Sequence, residues 1–540
     1  MIGAKRTPEL TRAHWSADTS EPVVETSIGD ALRRAAALWG GRTALVEGIE
    51  GGGGRRWTYD ALLVDAERAG RALAARFRHG EHVAIFAANL PEWVLAEFGA
   101  ALAGLTLVTV NPAFLAKEVA YVLGQSKAAG VIVQNTYRGR DLLAVVEEAR
   151  AALPGLREVI ALDDWDALLA SADDARPLPA VAPTDIAQIQ YTSGTTGFPK
   201  GAQLTHRGLA NNGRFFARSL RAGPQDVWVN PMPMFHTAGC GLVTLGALQT
   251  GGVHVLPPAF DPALMLALFE AERGTLMLSV PTMLIRMLDH PDAQTRDVGA
   301  WRLSSLGGAP VPPELVRRAH ERFGVKVAIG FGQTEASPYL THTVPDDPHP
   351  DWIETVGPPL PQTEVKVVDP ATGETLGLGE TGEICARAPG VMAGYFDNPG
   401  ATAQALDADG WLHTGDLGSM DAHGYCRIEG RLKDMIIRGG ENIYPREIED
   451  ILFTHPHVAS AAVVGVPDQE WGEQVAAFVQ ARPGAALDEG ELADFCRTHL
   501  APFKVPRLWR IVEQFPQTAS GKIQKFVLRD QLRTPSQERV

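Results

Sequence analysis

Ile186-Ala-Gln-Ile-Gln-Tyr-Thr-Ser-Gly-Thr-Thr-Gly-Phe-Pro-Lys-Gly201 is the stretch that decides how this chain is read. Residues 186–191, in which Ile186, Ile189 and Tyr191 are β-prone, predict a strand. Residues 192–201 then pack hydroxyl side chains, glycines and a single lysine into one loop. Such a loop offers backbone N–H groups, hydroxyls and a cation to a polyphosphate. It is not a Walker A loop, which places Gly directly before Lys and Ser or Thr directly after it. Here Pro199 precedes Lys200 and Gly201 follows it. A Gly/Ser/Thr-rich surface loop shares the composition, but the strand feeding it and the Pro-Lys-Gly closure favour a phosphate loop.

Outward from this loop, short apolar runs alternate with amphipathic stretches. Toward the N-terminus, residues 82–87, 105–110 and 130–134 read as strands, and 91–103 and 115–124 as helices, the first with Pro91 in its opening turn. Toward the C-terminus, strands are expected at 227–232, 253–256, 276–280, 302–306 and 325–329, with helices at 239–248, 262–272, 281–288 and 313–323. That alternation predicts βαβ units and a mostly parallel sheet. Gly51–Gly54, ahead of Arg55-Arg56-Trp57, predicts a hairpin turn because no helix follows it directly. After residue 357 the texture changes, and alternating runs at 363–369 and 382–387 predict a small β-rich subdomain. From 445 onward the order helix, strand, strand, helix, strand is expected over 445–454, 458–466, 475–480, 488–499 and 507–512. The fold class is α/β: a large N-terminal domain with βαβ-built, mostly parallel sheets and the β-rich subdomain, plus a C-terminal α+β domain.

Bulk properties narrow the function. The 540 residues are too many for one core and suit two or more domains. A net charge of −15 argues against a non-specific nucleic-acid surface, though not against a local basic pocket. Cys240, Cys385, Cys426 and Cys496 are far apart with no C-x-x-C pair, which suits a reducing cytosol and no zinc site. Residues 1–10 lack the apolar core of a signal peptide, and the apolar run 95–110 holds Glu97 and is too short to span a bilayer. The end, Gln537-Glu-Arg-Val540, reads as neither a peroxisomal nor a prenylation signal. A cytoplasmic setting is expected.

Six more segments occur in order: Asn230-Pro-Met-Pro-Met-Phe-His236, Gly307-Gly-Ala-Pro310, Gly330-Phe-Gly-Gln-Thr-Glu335, Thr414-Gly-Asp-Leu417, Gly430-Arg-Leu-Lys-Asp434 and Gln517-Thr-Ala-Ser-Gly-Lys522. With the loop, they resemble the adenylate-forming (AMP-binding) superfamily of acyl-CoA synthetases, peptide-synthetase adenylation domains and luciferases. The resemblance spans residues 25–530. Lys433-Asp-Met-Ile-Ile-Arg-Gly-Gly-Glu-Asn-Ile-Tyr-Pro445 and Ser520-Gly-Lys-Ile-Gln-Lys-Phe526 look most like medium- and long-chain fatty acyl-CoA ligases. Gln333 departs from the Met commonest in the superfamily, but Gln also occurs in some fatty-acid ligases.

The resemblance implies roles. Thr192, Ser193, Gly194, Thr195, Thr196, Gly197 and Lys200 would hold the phosphates of ATP. Gly308, Ala309 and Pro310 would contact adenine, and Phe331, Gly332, Gln333 and Thr334 complete the nucleotide site, with Thr334 at the α-phosphate. Glu335 and Thr196 would hold Mg²⁺, while Asp416 and Arg431 bind the ribose. His236 would gate the acyl site, lined by Met234, Gly239, Gly307 and Ala336. Gly439 and Gly440 would let backbone lie against the pantetheine arm of CoA. The expected division is 1–430 as the adenylation domain, 431–434 as a hinge pivoting at Lys433, and 435–540 as a mobile domain carrying Lys522. Lys522, Lys200, Thr334 and Glu335 form the expected catalytic set.

The chemistry explains these residue types. Attack of a carboxylate on the α-phosphate of ATP builds negative charge on oxygens already negative, so catalysis is positioning and charge neutralisation. Lys200 would neutralise departing pyrophosphate, and Lys522 would bridge carboxylate and α-phosphate. The Asp416 carboxylate can accept two hydroxyl hydrogen bonds. Singly, Glu335 reads as a helix-start acid, Asp416 as a turn residue, Lys522 as a solvated loop lysine and His236 as a helix cap. Their ordered constellation favours a functional site, with His236 as a gate that takes no acid–base part. The implied reaction is activation of a carboxylic acid, most simply a medium- or long-chain fatty acid, through an acyl-adenylate to acyl-CoA, with ATP, Mg²⁺ and CoA consumed or required and a homodimer as assembly. A stand-alone enzyme loading a carrier protein, a ligase for an aryl or sterol side-chain acid, a luciferase-like oxygenase and an inactive scaffold are the alternatives. An inactive scaffold would be expected to have lost Lys522, Glu335 or Asp416.

Overall fold

The structure is a computed structural model that describes residues 9–192, 199–517 and 523–533. By internal contacts the chain divides into two compact units. One comprises Trp15–Val365 and Ala386–His413; the other comprises Met1–His14, Lys366–Cys385 and Thr414–Val540.

The larger unit is built on two sheets. The first runs Gly394–Tyr395, Lys200–Thr205, Ile186–Thr192, Thr106–Val110, His82–Phe86, Gly130–Val133 and Glu158–Ala161. Every neighbouring pair from Ile186–Thr192 onward is parallel, and the two pairs before it are antiparallel. The second runs Tyr339–His342, Lys326–Gly332, Leu303–Gly307, Leu276–Ser279, Val227–Val229, Val253–Leu256, Thr43–Glu47 and Arg56–Thr58. Its interior pairs are parallel and only its two edge strands are antiparallel. The mostly parallel α/β architecture is therefore the one the alternation predicted. Central strands read as continuous apolar runs because both faces are covered, as at the fully buried Val83, Ala84, Ile85 and Phe86.

Proline sets several helix starts. Pro91–Ala103, Pro281–Leu288 and Pro313–Phe323 begin on prolines whose fixed φ suits the first turn and whose missing N–H costs nothing there. All three match the expected bounds. The strand expected over 227–232 stops at Val229, because Pro231 and Pro233 cannot donate to a ladder. The helix expected over 239–248 is longer and opens differently: Ala238–Thr244 is a π-helix that continues as the α-helix Leu245–Thr250. The glycines at 51, 52 and 53 all have positive φ and join the antiparallel strands Thr43–Glu47 and Arg56–Thr58, as the hairpin reading required.

In the smaller unit, the strand Cys426–Arg431 pairs antiparallel with Leu412–Met420, setting Arg431 opposite Asp416. A second sheet runs Glu441–Ile443, Ile436–Arg438, Gly472–Ala481 and Val458–Asp468, with Leu508–Ile511 parallel to Gly472–Ala481. Pro445–Phe453 and Glu489–His499 supply Ile448, Leu452, Leu492 and Cys496 to one buried cluster. Lys525–Arg533 supplies Leu528 to another, with Val464, Phe478 and Phe515. This is the expected α+β module, with two additions: the last helix, Lys525–Arg533, and a hairpin. The hairpin Ile436–Arg438/Glu441–Ile443 turns on Gly439 and Gly440 alone. No helix among the described residues is long and apolar enough to cross a membrane.

Candidate active site

In the larger unit the expected nucleotide segments leave the carboxyl ends of neighbouring strands, where ligands bind in open α/β sheets. Leu303–Gly307 and Lys326–Gly332 run in parallel with Gly307 beside Gly330. Gly308, Ala309 and Pro310 emerge exposed from the first, with Gly308 at φ 75°. Phe331, Gly332, Gln333 and Thr334 follow half-buried from the second, and a short 3-10 turn, Thr334–Ala336, carries Glu335. Ile186–Thr192 ends at Thr192, which lies opposite Lys200 in the antiparallel register. Ser193, Gly194, Thr195, Thr196 and Gly197 lie outside the described residues.

Packing fixes the Thr334–Ala336 turn closely. Asn212 donates from Nδ2 to the Tyr339 carbonyl at 2.7 Å and accepts from the Tyr339 N–H at 3.1 Å. The Gln333 N–H closes the turn on the Pro338 carbonyl at 2.9 Å. Ser337 Oγ donates to the Gly390 carbonyl at 2.7 Å. The structure brings together two expected residues and one that the sequence reading missed. Tyr395 sits on the edge strand beside Lys200–Thr205, with Ala202 opposite it. Its hydroxyl donates to Glu335 Oε1 at 2.7 Å, and Lys200 Nζ lies 5.0 Å from its ring centroid. Tyr395 thus links the loop lysine to the acid expected to hold metal. Burial, then the Glu335 charge, push the Tyr395 hydroxyl far above its ordinary pKa, so it stays protonated and donates. Glu335 is 9% exposed. A hard carboxylate with so little water around it suits Mg²⁺. A lone Gly-Tyr step carries no periodicity, so only its proximity to Lys200 in space identifies Tyr395.

The Asn230–His236 segment is held from below. Asn89 donates from Nδ2 to the Met232 carbonyl at 3.1 Å and accepts from the Met234 N–H at 2.8 Å. Buried Asn230 accepts from the Met232 N–H at 3.0 Å. Met234 is fully buried and His236 is half-buried, its ring 4.5 Å from that of Phe235. No side chain caps the helix after it, whose capping position is Thr237 rather than His236. The small size of Gly239 and Gly307 has a packing cause. A Cβ on Gly239 would lie 2.4 Å from the Pro233 carbonyl oxygen, and one on Gly307 would lie 2.4 Å from the Tyr339 hydroxyl. Ala336 is fully buried.

In the smaller unit, Asp416 is 5% exposed and accepts from Arg431 Nε at 2.9 Å. Lys433 is exposed within a 3-10 turn, Leu432–Asp434, and Asp434 pairs with Arg529 of the last helix. Gly439 and Gly440 are exposed at φ 61° and 87°. Two consecutive positive φ values make the two-residue hairpin turn that favours glycine. A Cβ on Gly439 would also lie 2.8 Å from the Trp471 ring, whereas one on Gly440 would meet nothing within 4 Å. Lys522 lies outside the described residues.

Comparison with known proteins agrees with this geometry. Residues 32–396 match the AMP-binding enzyme family and residues 447–522 match the AMP-binding enzyme C-terminal domain. The mitochondrial medium-chain acyl-CoA ligase ACSF2 of Rattus norvegicus is 35% identical over 95% of this chain and 89% of its own length. A 3-(7a-methyl-1,5-dioxo-octahydro-1H-inden-4-yl)propanoyl:CoA ligase of Rhodococcus jostii (strain RHA1) is 36% identical over 94% of this chain and 99% of its own. Among solved structures, ATP-bound MatB from Rhodopseudomonas palustris superposes with a TM-score of 0.86 at 31% identity, covering 94% of this chain and 99% of that one. Strand-end loops, a lysine and a buried acid bridged by one tyrosine, and these matches lead to one conclusion: the chain belongs to the AMP-binding enzyme family, among its AMP-forming acyl-CoA ligases.

Proposed function

We propose that this enzyme activates a medium- or long-chain carboxylic acid with ATP and passes the acyl group to CoA. The acid attacks the α-phosphate, giving acyl-adenylate and pyrophosphate; the CoA thiol then attacks the acyl carbon and AMP leaves. The observation that carries this reading is the Lys200–Tyr395–Glu335 arrangement, with Lys200 opposite Thr192. It pairs a cation suited to pyrophosphate with a carboxylate suited to metal, and fixes both on one ring.

We assign Lys200 to the departing pyrophosphate, Thr334 to the α-phosphate, and Asp416 with Arg431 to the ribose. Lys522 is assigned to the reacting oxygens. Glu335 and Thr196 would hold Mg²⁺, which neutralises phosphate charge when bound. His236 is assigned to the entrance of the acyl site and takes no acid–base part, because the carboxylate arrives deprotonated. Lys433 is assigned to the hinge: the smaller module would pivot there between adenylation and thioester formation. Proline at this position fixes φ near −65°, so Lys433→Pro is expected to separate the two half-reactions. We read the setting as cytoplasmic and the assembly as a homodimer, to be checked by fractionation and light scattering.

Medium-chain substrates are favoured by the resemblance to ACSF2, and a polycyclic propanoate by the resemblance to the Rhodococcus ligase, each at about one-third identity. A hydrophobic pocket discriminates one methylene by only about 1–3 kcal/mol, so a range of chain lengths is expected. The test is a panel from acetate to palmitate, with benzoates and sterol side-chain acids, assayed for AMP release with CoA as the only acceptor. AMP release peaking at medium chain length supports the reading. Release that needs a carrier protein, or that occurs only with cyclic acids, replaces it.

A further inference from the structure

Beneath the His236 segment lies a row of buried polar side chains that the reaction as described does not use. Glu97 belongs to Pro91–Ala103, a helix with nearly every residue buried, and is itself 2% exposed. Its Oε1 accepts from Gln188 Nε2 at 2.8 Å, while Oε2 has no hydrogen-bond partner among the described residues. Gln188 Oε1 in turn accepts from Gln190 Nε2 at 2.7 Å. Gln190 Nε2 also reaches Cys240 Sγ at 3.2 Å. Cys240 Sγ lies 3.3 Å from the His236 carbonyl oxygen and donates to it. Gln188 and Gln190 are each 1% exposed and Cys240 is fully buried.

The placement of this row is informative. Gln188 and Gln190 are two apart on Ile186–Thr192, so both face the same side of the strand that runs into the phosphate loop. Cys240 stands in the first turn of the π-helix immediately after His236. The row therefore ties the root of the phosphate loop to the backbone of His236. Stability alone does not call for it. A buried hydrogen bond contributes only about 0.5–1.5 kcal/mol net, and well-packed apolar side chains of the same shape do as well. Neighbouring strand positions Ala187 and Ile189 are ordinary apolar core. What this polar row adds, from Glu97 Oε1 through Gln188 and Gln190 to Cys240, is a fixed arrangement of those side chains. Burial pushes the Glu97 carboxyl up from its ordinary pKa, and the hydrogen bond from Gln188 works against that shift.

We propose that Glu97 is a positioning residue that, through Gln188, Gln190 and Cys240, fixes the His236 segment against the strand Ile186–Thr192 and so sets where the acid's carboxylate is held. This rests on the reading of His236 as the entrance to the acyl site. It predicts a selective effect: breaking the row displaces the acid and leaves nucleotide binding alone.

The test uses the full-length enzyme and acid-dependent ATP–pyrophosphate exchange, with octanoate as the acid, recording KM for acid and for ATP separately. Cys240→Ala removes the thiol from the His236 carbonyl, which keeps the backbone N–H groups of Gly239 and Cys240, and so breaks the tie to Gln190; it is expected to raise the acid KM about fivefold with the ATP KM changed less than about twofold. Cys240→Ser keeps a donor and is expected to restore the acid KM. Glu97→Leu is expected to act in the same direction as Cys240→Ala, and the isosteric Glu97→Gln to stay close to wild type. Should Glu97→Leu fail to fold, the Cys240 pair decides. Equal effects of Ala and Ser at 240, or a parallel rise in both KM values, show that the row is packing only and overturn the proposal. His236→Ala reports on the entrance reading. A raised acid KM there with none at Cys240→Ala discards the proposal alone; an unchanged acid KM there discards both.

Discussion

Replacing Tyr395 with Phe removes a single oxygen and leaves the ring under Lys200 in place. That oxygen donates to Glu335 Oε1 at 2.7 Å, in a site where Glu335 is 9% exposed. A hydrogen bond to a charged group contributes about 1.5–3 kcal/mol, and Tyr395 is only half-buried, so the lower figure applies. At 1.36 kcal/mol per decade, adenylation should fall about tenfold. The loss should appear in kcat for ATP–pyrophosphate exchange and in a higher Mg²⁺ requirement, because the side chain that loses its partner is the proposed metal ligand. Thioester formation from supplied acyl-adenylate should be spared. Tyr395→Leu should cost about threefold more, since it also removes the ring 5.0 Å from Lys200 Nζ, a contact worth about 0.5–1 kcal/mol. Exchange rates for Tyr395→Phe indistinguishable from wild type at every Mg²⁺ concentration would refute the idea that Tyr395 orients Glu335. Equal losses for Phe and Leu would show instead that the ring contact with Lys200 contributes nothing.

Other outcomes rest on single contacts. Asp416→Asn breaks the ion pair with Arg431 at 2.9 Å and should raise the KM for ATP about tenfold in exchange assays while leaving the acid KM alone. Gly239→Ala places a Cβ 2.4 Å from the Pro233 carbonyl oxygen and should lower stability by about 1–3 kcal/mol, read as a fall in Tm of a few degrees together with a raised acid KM. His342 is buried between Ser219 Oγ at 3.1 Å and Ser305 Oγ at 2.9 Å, and burial lowers its pKa to about 3. The unfolded state therefore takes up a proton below pH 6.5 that the folded state refuses, so this contribution is intact above about pH 6.5 and is lost as pH falls toward 3. Denaturant titrations should show His342→Gln less sensitive to acid than wild type by about 2 kcal/mol between pH 7 and pH 5.

Elements that announce themselves locally were legible in the sequence. Helices opening on Pro91, Pro281 and Pro313 were bounded correctly because proline fixes φ at the first turn. The parallel sheets were legible from uninterrupted apolar runs. The π-helix Ala238–Thr244 was not, because residues 238–248 are small or apolar at nearly every position and leave no polar face to mark the change of pitch. Gly439 and Gly440 were read as making room for a ligand, yet both also have positive φ in a two-residue turn, a requirement that sequence does not distinguish from close approach. Tyr395 and Glu97 were missed as partners because each meets its neighbours only through the sheet. Tyr395 lies 60 residues from Glu335, and Glu97 lies 91 residues from Gln188.

The central claim is that the acid is activated by bonding to the α-phosphate of ATP. Turnover with a carboxylate labelled with oxygen-18 tests it most directly, by mass spectrometry of the products. Attack of the carboxylate on the α-phosphate must leave one labelled oxygen in AMP when CoA displaces it, with none in pyrophosphate. Label recovered in inorganic phosphate or pyrophosphate instead, or AMP formed without label, would contradict the account.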